Sequence, residues 1–220
     1  MMDYNIEKWN FMRERKIVMY QVILASASPR RKEIMEIMDI AYKVVTEEVE
    51  EVTKEYIPGE MVQALAKLKT CAVAKKIEKC HEYKETIIIG ADTMVFYKEH
   101  ALGKPRSKGD AFRMLQMLSD DVHEVFTGVS IIIKNPDGSV EEISFAVETQ
   151  VHVNPLTEQQ IQAYIETGEP MDKAGAYAIQ GQFGIFIKEI KGDYYNVVGF
   201  PIAKIYDTLL QRGIDIKNLK

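Results

Sequence analysis

Two cysteines, Cys71 and Cys80, are all that this chain of 220 residues contains. They fit neither a disulfide framework nor a zinc site, so a reducing, cytoplasmic setting is expected. No apolar run approaches the roughly 18 residues a membrane span needs, and no membrane partner is expected. The opening stretch, MMDYNIEKWNFMRERKIVM, lacks a continuous apolar core and a small-residue cleavage site, which argues against a secretory signal. A basic balance is missing too: 28 Lys+Arg stand against 33 Asp+Glu, a net charge of −5. A general nucleic-acid binder is therefore not expected, although a local cationic pocket is still allowed. His81, His100, His123 and His152 form no metal-ligand spacing. There is no G-x-S-x-G nucleophile elbow, no G-x-x-x-x-G-K-[ST] phosphate loop and no internal repeat.

What is present reads as globular. Hydrophobic residues are 46% and charged residues 28%, near ordinary values, which excludes disorder. The length suits one substantial domain or two small lobes. Residues 1–19, with Trp9 and Phe11 but no clear period, read as an N-terminal extension. Residues 20–213 read as a single domain, and 214–220 as a C-terminal tail. YQVILAS (20–26), AYKVVT (41–46) and TIIIGAD (86–92), continuing through TMVFYK, read as strands. Ser28 and Pro29 suit the cap and first position of a helix. Met61, Leu65, Leu68 and Ala72 set a long amphipathic helix over 60–82. KEHALGKPRSKGD reads as a loop before a helix at 110–120. Two long strands flank the turn Asn135-Pro136-Asp137-Gly138. A helix follows from Thr157 to Gly168. FGIFIKEI and YYNVVGF read as strands of a hairpin around Lys191-Gly192-Asp193, and a last helix ends at Gly213. The irregular alternation with hairpins predicts an α/β fold of mixed α+β character, with a mixed twisted sheet flanked by helices.

Four segments could carry chemistry. In Ser26-Ala27-Ser28-Pro29-Arg30-Arg31, two arginines stand at a helix N-terminus, against its dipole by about 0.3–1 kcal/mol each. An anion such as phosphate would reconcile them; so would a solvated pair balanced by Glu33 or Glu36. Asp92, closing an apolar strand, stands where α/β ligand crevices form. It could accept a proton from water, hold a metal, or simply cap a turn. Lys104 is presented by a Gly/Pro loop. Lys69 borders the apolar stripe of its helix, where a lysine snorkels or meets an anion. In the small-residue stretch 172–181, Gln180 carries the donor and acceptor needed to read a base edge, though the stretch also suits an ordinary structural loop.

LASASPRR (24–31), GADTMV (90–95), LGKPRS (102–107), HEVFTGV (123–129), DKAGAYAIQG (172–181) and VVGFP (197–201) together resemble the Maf family of nucleoside triphosphate pyrophosphatases. The matches keep the family's order and span residues 20 to about 210. The resemblance implies a Maf/inosine-triphosphatase-like fold of two lobes with a central cleft. It also implies hydrolysis of a nucleoside triphosphate to the monophosphate and pyrophosphate with a divalent metal, Mg or Mn. Carried over, Asp92 is the proton acceptor, or a metal ligand. Ser26, Arg30, Arg31, Lys69 and Lys104 bind phosphate, and Glu51 falls near the metal. Arg30, Thr93 and Gln180 are the specificity positions. Ile179-Gln180-Gly181 is similar to the branch acting on dTTP and UTP; the branch acting on 7-methyl-GTP has Ser-Glu-Gly there. Phe200 replaces a usual leucine, and Asp120-Asp121 a usual Ser-Gly context. The alternatives are the 7-methyl-GTP enzyme and a non-catalytic nucleotide-binding regulator linked to cell division. The expected partner is the nucleotide; a homodimer stays open.

Overall fold

The computed structural model describes residues 20–79 and 85–219. The N-terminal extension, Cys80, His81 and Lys220 lie outside the described residues. In chain order the elements are β1 (Gln21–Leu24), α1 (Pro29–Ile37), β2 (Lys43–Val44), α2 (Pro58–Glu78), β3 (Thr86–Tyr97), β4 (His100–Leu102), α3 (Lys108–Leu118), β5 (Val122–Lys134), β6 (Val140–Val153), α4 (Glu158–Glu166), three short 3-10 turns, β7 (Ile187–Lys191), α5 (Tyr194–Val198) and α6 (Ile202–Leu210). The strands form one mixed sheet in the order β2-β1-β3-β5-β6-β7, with β4 also paired to β3. β2, β1 and β3 are parallel neighbours, and the remaining pairs are antiparallel.

Ile87, Ile88 and Ile89 are all fully buried because both faces of the first half of β3 are covered, as a continuous apolar run requires. On one face Val22, Leu24, Ile87, Ile89, Val129 and Ile131 pack against α1 and α6. Ile214 and Ile216, in the segment set apart as a tail, are buried in this same core. On the other face Ile23, Ile88 and Ile132 meet Val73, Ala74 and Ile77 of α2. The second half of β3 enters a different core, in which Val95 and Tyr97 join Val125, Val151, Leu115, Ile161 and Tyr164. One sheet thus serves two lobes.

The cleft follows from the pairing of β3. Its edge opposite β5 is taken by β1 at residues 86–89 and by β4 at residues 95–97. Residues 90–94, which include Asp92 and Thr93, have neither as neighbour on that edge. Two glycines then bring α2 close. A Cβ on Gly128 would strike the backbone of Val62, and one on Gly90 would strike Thr70. The close approach sets Lys69 of α2 beside the open part of β3.

Several sequence expectations are corrected. YYNVV is a helix rather than a strand: the Asp193 carboxylate accepts from Tyr195 N at 2.8 Å, and Gly199 at φ 107° ends the turn. The β-prone composition is overridden by that cap and by the burial of Asn196 and Val198. Lys191-Gly192-Asp193 therefore joins a strand to a helix. FGIF lies mostly in a 3-10 turn, Gln182–Phe186, and the second strand shrinks to Lys43–Val44. His100–Leu102, read as loop, pairs with β3. The capped helix at Thr157 is present, with a full Thr157/Gln160 capping box.

Candidate active site

The turn after β1 folds around Arg31. Ser28 occupies the cap position of α1, but its side chain makes no capping bond; Ser26 Oγ instead accepts from Ser28 N at 3.3 Å. Arg31 projects into the protein. Its Nη1 donates to Ser26 Oγ at 2.9 Å, its Nε to the Gly199 carbonyl at 2.8 Å and its Nη2 to Thr93 Oγ1 at 3.3 Å. The proton direction continues inward. Thr127 Oγ1 donates to Asn196 O at 2.9 Å, so it accepts from Thr93 Oγ1, 3.0 Å away. This chain fixes Thr93 and Arg31 from three separate parts of the sequence.

Asp92 lies one residue along β3. Its Oδ1 is 2.5 Å from Lys69 Nζ, which also stands 3.1 Å from Glu51 Oε1. Lys69 therefore meets carboxylates; it does not snorkel to solvent. Burial pushes the Asp92 carboxyl above its usual range, while Lys69 and Arg31 pull it down and Glu51 adds a smaller upward push. Burial lowers the Arg31 guanidinium to about 10, offset in part by Asp92, so it stays charged near neutrality.

Two cavities meet here. The first, about 200 Å³, is lined by Arg30, Asp92, Thr93, Lys173, Tyr177 and Gln180 among others. The second, about 930 Å³, is lined by Ser26, Glu51, Lys69 and Lys76 among others. Ser28, Arg31 and Lys104 line both. All nine residues singled out from the sequence thus line one continuous cleft: Arg30, Thr93 and Gln180 on one side, Ser26, Lys69 and Glu51 on the other. Thr127 and Asn196 were not singled out; they belong to the buried backing of Thr93, and no local pattern marks that role. Lys173 was named only as part of a motif, and it borders the cleft.

The donor set suits a shared metal ion better than a caged one. Among the described residues no group of three or more His, Cys, Asp or Glu side chains is placed to hold a metal. Asp92 and Glu51 converge on the same ammonium, so two carboxylates face one point. Mg²⁺ is commonly held by one or two carboxylates with water and substrate phosphates.

Fold and cleft together define a class: a mixed α/β protein whose sheet opens onto a cation-lined groove beside a buried carboxylate. The chain belongs to the Maf family, whose model, described as Maf-like protein, matches residues 21–212. It is similar to the dTTP/UTP pyrophosphatase of Lachnoclostridium phytofermentans, with 49% identity over 198 residues that cover 90% of this chain and 98% of that protein. The dTTP/UTP pyrophosphatase of Agathobacter rectalis is 43% identical over 205 residues, 90% of this chain and all of that one. A Ham1 protein from Staphylococcus aureus is a looser likeness, at 17% identity and a TM-score of 0.44 over 87% of this chain and 99% of that one. The family read from the six motifs is borne out, as is the mixed α/β architecture. Among the described residues no helix is long and apolar enough to cross a membrane.

Proposed function

We propose that this chain hydrolyses dTTP and UTP between the α and β phosphates, in the cytoplasm, releasing the monophosphate and pyrophosphate. One observation carries the reading: Asp92 lines the small cavity while its ion-pair partner Lys69 lines the large one. A nucleotide laid across the cleft has its base toward Gln180 and its phosphates along Arg31, Lys104 and Lys69. Asp92 takes the proton from the attacking water. The new bond forms between that oxygen and the α phosphorus, and the bond to the bridging oxygen breaks. The carboxyl's raised affinity for protons makes it a better base than an exposed aspartate. Arg30, Arg31, Lys69 and Lys104 offset the charge that gathers on departing pyrophosphate. Ser26 orients Arg31 and the phosphate turn. Glu51 would hold the divalent cation, Mg²⁺ or Mn²⁺, which when bound polarises phosphoryl oxygens; Asp92 would be a second ligand only in the alternative in which it is not the base.

Base choice falls to Gln180, whose carboxamide can accept from N3–H and donate to a carbonyl of uracil or thymine. Thr93 and Arg30 border the same cavity. The relatives named dTTP/UTP pyrophosphatase support this choice over 7-methyl-GTP. The deciding experiment is pyrophosphate release from dTTP, UTP and 7-methyl-GTP with Mg²⁺ or Mn²⁺. Turnover of dTTP and UTP is expected. Binding without turnover would leave a regulator, and preference for 7-methyl-GTP would overturn the substrate.

A further inference from the structure

Gln180 sits on an exposed segment between two 3-10 turns, a poor place from which to read a base unless its backbone is fixed. We propose that Tyr164 and Glu169 are positioning residues that clamp this segment and so set base selectivity; the proposal rests on the reading of Gln180 given above. The Tyr164 hydroxyl donates to Glu169 Oε1 at 2.8 Å and accepts from Ala178 N at 3.3 Å. Glu169 Oε2 accepts from Gln182 N at 3.1 Å. The two amides bracket Gln180, one two residues before it and one two residues after.

The clamp itself is anchored. Tyr164 is buried in the second lobe's core, its ring 5.1 Å from that of Phe183, which is 1% exposed. Phe183 stands in turn 4.9 Å from the ring of Tyr177, a wall of the small cavity. Gly181 lies so close to Glu169 that an added Cβ would collide with the carboxylate. A carboxylate is acceptor-only, so it orders an amide and a hydroxyl without a competing orientation. Bonds to an ionised acceptor are also stronger than neutral ones. The base-reading side chain thus inherits its position from a tyrosine and a glutamate that lie outside its own segment.

The test compares full-length wild type with Tyr164→Phe, Glu169→Gln, Gln180→Ala and the Tyr164→Phe/Gln180→Ala double variant. The readouts are kcat/KM for dTTP and for dGTP, with amide exchange at Ala178 and Gln182. Tyr164→Phe keeps the ring and Glu169→Gln keeps the shape, so neither empties the core. Each is expected to lower the dTTP-to-dGTP ratio by about tenfold and to speed exchange at the two amides. The loss of ratio should vanish in the Gln180→Ala background. A uniform drop for both nucleotides, beside a changed ratio in Gln180→Ala, sinks the clamp alone. An unchanged ratio in Gln180→Ala sinks the base-reading role itself, and the clamp's purpose with it. Equally fast exchange in wild type and Tyr164→Phe also overturns the proposal.

Discussion

The two ends of the cleft are built in opposite ways. At the proposed phosphate end, charged side chains hold one another: Lys69 joins Asp92 to Glu51, and Arg31 joins Ser26, Thr93 and the Gly199 carbonyl. At the proposed base end, an aromatic core holds the backbone, and on the reading proposed above the Gln180 carboxamide selects the base, with Arg30 and Thr93 bordering the same cavity. On the proposed reading several cations share the phosphates, so removing an exposed one should cost little, and removing a buried one should disturb fold and chemistry together. At the proposed base end, Gln180 is the one of the three specificity positions whose carboxamide offers both a donor and an acceptor.

The largest effect should come from Asp92→Asn. The change is nearly isosteric, and loss of a general base costs about 10²–10⁴-fold in kcat. Steady-state turnover of dTTP within tenfold of wild type would remove Asp92 from the chemistry. Arg31→Ala comes next, with a loss of about a hundredfold in kcat/KM accompanied by a lower melting temperature, because buried charge-assisted bonds are broken. Read from the sequence, both arginines oppose the α1 dipole and their removal relieves the helix. The structure reverses that expectation for Arg31, which is 9% exposed and bonded to Gly199 O and Ser26. Equal or higher stability of Arg31→Ala would restore the simpler dipole account.

Behind the base end, His123 gives a pH test. It is fully buried, its Nε2 lies 2.8 Å from Tyr177 Oη, and burial pushes its imidazole down to about 4. Both folded and unfolded chains hold it neutral above about pH 6.5. As pH falls from there toward 4, only the unfolded chain takes up the proton. Stability attributable to this residue is therefore lost over that window, by about 3 kcal/mol in full. Denaturant titrations at pH 7, 5.5 and 4.5 should show this slope, and His123→Gln should flatten it; an unchanged slope would place the acid sensitivity elsewhere.

A smaller effect is expected at Gln180. Gln180→Glu cannot donate to a pyrimidine carbonyl, and kcat/KM for dTTP and UTP should drop about tenfold, with less loss on 7-methyl-GTP. An equal drop on all three nucleotides would assign Gln180 to holding its loop. Lys104→Ala should be mildest, about a threefold rise in KM, since an exposed lysine contributes about 1 kcal/mol at most. A loss as large as that of Arg31→Ala would erase the contrast between shared and unshared charges.

Legibility in the sequence followed the same contrast. Residues 86–92 announce a doubly covered strand, and Thr157 with Gln160 announces a capped helix, because both signals are local. Tyr194–Val198 misleads because its β-prone residues are folded by one aspartate cap and a left-handed Gly199. The three-residue β4 has no pattern of its own and exists only because β3 offers it an edge. Motif resemblance singled out Asp92, Lys69 and Arg31, and all three line the cleft. Their pairing was not readable: the i+4 spacing of Lys69 places it on a helix face without saying that Asp92 lies across from it. Nor does any local signal reveal that Arg31 points inward, since Gly199 is 168 positions away.

The length of β3 has a consequence for how the molecule assembles. It pairs with β5 along eleven register positions that run through both lobes. β3 and β5 thus tie the sheet of one lobe to that of the other, and refolding is expected to follow a single exponential, which stopped-flow fluorescence checks. The parallel β1–β3 pairing closes a loop of about sixty residues, and distant pairings of that kind slow folding. The cleft, bounded by β1 on one side and β4 on the other, is expected to form only once both pairings are in place.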